Sequence, residues 1–260
     1  MFLRQSDNYA MLSDREIRDF AVDLGGVVLL AAVFVGAVLL AAARIEPGGG
    51  RPPGLTGSIE RVALALPSRA AWLVPLAGVA VLTLVGAAVA AWEPGWRALR
   101  VNEEQSAAAY YSSLLLLACA AIALVLSERD QAERKLSWVA LAIVFATVGI
   151  DEGAELHERI EVRTGLPVAL VLAPIGIVAV ISAWRVLPSL REVSRGLLLF
   201  GLGAGCWLVS QASDPFHAGW KSVVEEGLEM CGSALIFLSL LLVLRRWHAG
   251  DSASRRLRSG

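Results

Sequence analysis

Histidine and cysteine are scarce in this chain, three of each in 260 residues, and their placement excludes several chemistries at once. Cys119, Cys206 and Cys231 are far apart and fall within apolar runs, so no CxxC or Cys/His spacing for a zinc module or redox motif exists. Packing is the expected role of each, Cys231 differing only in that it adjoins an acidic stretch. No nucleophile triad and no cofactor fingerprint is present. The Gly- and Pro-rich segment GGGRPPGLTG, residues 48–57, reads as a flexible connection without a phosphate-loop pattern. Nucleotides and nucleic acid are therefore not expected as partners. A basic leader is missing too. The first apolar run follows Asp14, Glu16, Asp19 and Asp23 and is longer than a signal-peptide core, so it reads as a membrane span.

What the chain has in abundance is apolar sequence: 56% of its residues are hydrophobic and its mean hydropathy is +0.62, too much for one soluble domain. Seven runs, approximately 22–44, 71–92, 107–127, 136–156, 167–187, 196–212 and 222–244, each approach the roughly 20 residues that cross a bilayer. The expected fold is all-α, an integral membrane bundle of seven transmembrane helices. Residues 1–21 form an N-terminal interfacial segment, 22–245 the membrane domain and 246–260 a basic tail. In the first segment, Ser13 stands three residues before Glu16 at capping-box spacing, and Ile17, Phe20, Ala21 and Leu24 share a face, which predicts a short interfacial helix. Trp72, Trp92, Trp138, Trp184, Trp207, Trp220 and Trp247 mostly fall near span ends and read as headgroup anchors. Within GLGAG, Gly201 and Gly205 make a small-xxx-small pair suited to close helix packing.

Seven spans put the termini on opposite sides. The side with loops 45–70, 128–135 and 185–195 and the C-terminus carries 15 Lys+Arg against 7 Asp+Glu, and the other side 8 against 17, together the 23 and 24 of the whole chain. The positive-inside rule makes the first side cytoplasmic. The expectation is a bacterial inner-membrane protein with its N-terminus outside and its C-terminus in the cytoplasm.

Two acidic stretches then face the same outer side: DEGAELHE, residues 151–158, ending span four, and EEGLEMCG, residues 225–232, opening span seven. Carboxylates in lipid are costly, about 2.5–3.5 kcal/mol each at the bilayer centre on insertion scales, so they call for a role. Asp151, Glu155 and Glu158 share a helix face, Glu152 neighbours Glu155, and Glu225 and Glu226 both neighbour Glu229. Asp214, His217, Glu103, Glu104, Tyr110 and Tyr111 sit where they could approach from the outer side if spans three, four and seven pack together. So many like charges must share protons, pair with Arg or Lys, or bind a cation. Carboxylates with imidazole suit a divalent metal such as iron, manganese or zinc. The candidate ligands are Asp151, Glu152, Glu155, His157, Glu158, His217, Glu225, Glu226 and Glu229, with Glu155 and Glu229 central and Tyr110 or Tyr111 supporting. The repeated Glu-x-x-Glu only partly matches the Glu-x-x-His of dinuclear carboxylate bundles. The plainer account has the acids marking helix ends, solvated or paired with Arg97, Arg100, Arg159, Arg163 or Lys221. The first-turn position of Glu225 and Glu226 suits the helix dipole, but Glu229 lies a turn deeper.

Asp151, Glu152, His157 and Glu158, with Glu225, Glu226, Leu228, Glu229, Met230 and Gly232, resemble the DE…HE and EE-LEM-G signatures of a family of uncharacterised prokaryotic polytopic membrane proteins. The resemblance spans residues 102–245 and implies a site without implying its chemistry. The seven-span hydrolases related to alkaline ceramidases do not fit, because their last helix carries zinc-binding histidines and span seven has none. Three functions follow as expectations: a membrane metalloprotein or metalloenzyme with a small or lipidic substrate; a proton- or cation-coupled transporter; or a scaffold subunit. Besides the bilayer itself, no particular partner is indicated.

Overall fold

The computed structural model describes residues 54–66, 68–92, 106–154, 156, 160, 164–166, 168–213 and 221–259. Among these the chain is entirely helical: α1 (Leu55–Ala65), α2 (Ser68–Trp92), α3 (Ala107–Arg129), α4 (Ala132–Ala154), α5 (Val168–Arg191), α6 (Ser194–Ser213) and α7 (Lys221–Ser259). Six of the seven expected runs fall within α2 to α7, and the run at 22–44 lies outside the described residues. Five described helices are long and apolar enough to cross a membrane, within α2, α3, α4, α5 and α7. Five of the seven expected spans are thus shown among the described residues. Residues 55–57 of the expected flexible loop open helix α1, and residues 246–259 of the expected tail continue α7 as helix.

Helix α3 is the spine of the bundle. Leu116, Cys119, Ala123 and Leu126 are buried along it, and it packs against α4 on one side and α7 on the other. Helix α6 forms an antiparallel hairpin with α7, while α5 closes against α4 and α6, and α2 against α7. Helices α4 and α7 do not pack on one another, because α3 separates them. The outer faces of α2 and α5 are apolar and exposed, at Leu73, Val74, Val81 and Leu84, and at Leu170, Ile177, Val180 and Ile181. A bundle in lipid has this pattern, since the hydrocarbon is as apolar as the side chains facing it.

Lipid removes the hydrophobic drive between helices, so close contact and interhelical hydrogen bonds hold them together. Ser113 donates to the Gly149 carbonyl at 2.5 Å, joining α3 to α4, and Ser239 donates to the Gly196 carbonyl at 2.7 Å, joining α7 to α6. The packing glycine of α6 is Gly203, not the expected Gly201 and Gly205. A Cβ on Gly203 would stand 2.7 Å from the Gly232 carbonyl oxygen, whereas Gly201 and Gly205 border open space. Two residues along a helix turn the side chain to nearly the opposite side, and α7 lies on the Gly203 side.

The α3–α4 corner is tied to α5 by one carboxylate. Asp130 accepts from Arg134 Nε at 3.0 Å, Trp138 Nε1 at 2.6 Å, Ser189 Oγ at 2.6 Å and the Gln131 amide at 2.7 Å. Burial pushes its carboxyl up, but the bonds from Arg134, Ser189, Trp138 and Gln131 outweigh this and hold its pKa at about 2. At the same end, Glu60 on α1 meets Arg129 and His248, and Arg245 donates to the Ala63 and Leu66 carbonyls left open at the α1 terminus. His248 therefore stands apart from the acidic stretches, as its sequence position implies.

Candidate functional site

At the opposite end of the α3–α4 hairpin, about 30 Å from Asp130 by helical rise, three carboxylates converge. Glu152 comes from the last turn of α4, and Glu226 and Glu229 from the first three turns of α7. One carboxylate oxygen from each lies within 4.8 Å of the other two. Because the backbones of α4 and α7 are not neighbours, the meeting depends on the reach of the glutamate side chains. Ser106 caps α3 by accepting from the Ala109 amide at 3.2 Å, and Ala108 packs on Met230, the residue after Glu229.

Glu229 is the best-anchored member, with only 7% of its surface exposed. Its Oε1 accepts from Ser210 Oγ at 2.7 Å and from Gln211 Nε2 at 3.2 Å, both on the last turns of α6. The Glu152 and Glu229 carboxyl groups also lie in hydrogen-bonding contact with each other. Asp151 and Glu225 stand beside the trio, near enough for their charges to act on Glu152 and Glu229. On α2, Thr83 lies against Gly227, and its buried hydroxyl has no hydrogen-bond partner among the described residues.

Of the nine residues expected to bind metal, Glu152, Glu226 and Glu229 come together, and Asp151 and Glu225 flank them. Glu155, His157, Glu158 and His217 lie outside the described residues, as do Glu103, Glu104 and Asp214. Tyr111 does not support the cluster: its hydroxyl donates to the Pro75 carbonyl at 2.8 Å, and its ring covers Gly78 on α2. Ser210 and Gln211 were not singled out by sequence reasoning. Their one signal is a polar pair at the end of an otherwise apolar helix.

Three carboxylates this close resist being ionised together unless protons or a cation sit among them. Their oxygens form a hard donor set, suited to cations that favour carboxylate. Ser210 and Gln211 fix the orientation of Glu229, as hydrogen bonds to a ligating carboxylate do in metal sites.

No curated protein and no solved structure matches this chain. Residues 27–244 match the family model described as a domain of unknown function, DUF8692, and with most of its length so covered the chain belongs to the DUF8692 family.

Proposed function

We propose that this multi-pass membrane protein binds a divalent metal ion through Glu152, Glu226 and Glu229. The observation that supports the reading is the approach of three carboxylate oxygens, from two helices whose backbones are not neighbours, to within 4.8 Å. Asp151, Glu225, Glu155, Glu158, His157 and His217 are further candidate ligands. Oxygen donors favour manganese or iron, and an imidazole from His157 or His217 would bring zinc into range. In the full reading the chain has seven spans in a bacterial inner membrane, with the site on the outer side and the C-terminus in the cytoplasm. A bound ion there could act on a small or lipidic substrate as a Lewis acid or redox centre.

A proton- or cation-coupled transporter is the second reading, favoured by the contact between the Glu152 and Glu229 carboxyl groups, an arrangement that holds a shared proton. Elemental analysis of the detergent-purified protein, before and after incubation with manganese, iron or zinc, separates the two. The metal reading expects bound metal in the wild type and its loss in the Glu152→Gln/Glu229→Gln variant. A wild type that stays metal-free after incubation overturns it and leaves the proton reading.

A further inference from the structure

Cys206 and Cys231 stand on different helices, and the contacts of the α6–α7 hairpin set them level with each other. On one side of the pair Ser210 reaches Glu229; on the other Gly203 lies against Gly232 and Ile236. Trp207, next to Cys206, donates to Ser233 Oγ at 3.3 Å. The helix backbones are at their closest here, since a Cβ on Gly203 would stand 2.7 Å from the Gly232 oxygen and one on Gly232 2.8 Å from the Gly203 oxygen. A disulfide requires Cα atoms about 4.4–6.8 Å apart, a spacing that the close backbone approach at a glycine contact favours for residues on adjoining turns. The two thiols are near enough for each to act on the other. Both are free and half-buried, unlike Cys119, which is sealed in the core.

We propose that Cys206 and Cys231 are a reversible dithiol–disulfide pair, oxidised from the lipid phase by a quinone. Two S–H bonds break and one S–S bond forms. The two electrons and two protons released reduce the quinone to a hydroquinone. The oxidant would reach the pair from the lipid phase, since exposed Leu202 and Val209 lie about one turn either side of Cys206 on α6. The disulfide fastens α6 to α7 about one turn from the bond between Ser210 and Glu229, and so fixes the carboxylate that Ser210 orients. The pair stands independently of the metal reading, since it rests on the hairpin contacts.

The test uses full-length protein in lipid nanodiscs and a fully substituted benzoquinone, whose ring positions cannot be alkylated by thiols. After maleimide blocking and non-reducing digestion, mass spectrometry should find the Cys206 and Cys231 peptides joined, with two hydrogen atoms lost. Dithiothreitol should release them, and one hydroquinone should form per bridge. A Cys119→Ser variant should cross-link as the wild type does. Full maleimide labelling of both residues after quinone treatment, or bridges only to Cys119 or between molecules, overturns the proposal.

Discussion

Removing an ion from the glutamate cluster should cost the protein stability, and the cluster's geometry sets the scale. Two unit charges 4.8 Å apart repel by about 3.5 kcal/mol at an effective dielectric near 20. Three ionised carboxylates make three such pairs, and neutralising Glu229 removes two of them. An ion present at about a hundred times its dissociation constant stabilises by about 2.7 kcal/mol, or roughly 5–10 °C of melting temperature for a chain of this size. Chelation of the purified protein near neutral pH should therefore lower its melting temperature by that amount. In Glu229→Gln, which weakens both the repulsion and the binding while keeping an oxygen for Ser210, the chelator should shift melting by less than about 2 °C. The assay is thermal unfolding in detergent followed by intrinsic fluorescence, with and without chelator, on both proteins. Identical wild-type curves in the two conditions refute the reasoning.

Gly203→Ala should loosen the α6–α7 hairpin by about 1–3 kcal/mol, because the added methyl meets a backbone oxygen that cannot turn aside; thermal unfolding checks it, and Gly201→Ala, facing open space, is the neutral control. Asp130→Ala should cost about 3–5 kcal/mol by leaving Arg134, Trp138 and Ser189 without their acceptor, and Asp130→Asn should cost less. Since the folded pKa of Asp130 is held at about 2, below the ordinary carboxylate value, its stabilisation is full above about pH 4 and fades as pH falls toward about 2. Denaturant titrations of wild type and Asp130→Asn should thus converge in acid and separate at neutral pH. Reporter fusions after Leu244 should be active only in the cytoplasm, and periplasmic activity would reverse the orientation and the placement of the acidic end.

The sequence alone determined the class of this protein and where its costly charges lie. Long apolar runs demand helices in lipid, because a backbone without water must satisfy its own hydrogen bonds. Glu152, Glu226 and Glu229 were legible as candidates because a carboxylate in such a run is expensive wherever the helix packs. The sequence could not decide which of them meet, since side chains on different helices are related only through the packing of both on α3. Nor could it identify Ser210 and Gln211 as the donors to Glu229, or choose Gly203 over Gly201 as the packing glycine, because a neighbouring helix selects the face and spacing within one helix says nothing about the neighbour. Cys206 and Cys231 make the same point. Their separation in sequence suggested two unrelated packing residues, and only the antiparallel return of α7 along α6 sets the two sulfurs side by side.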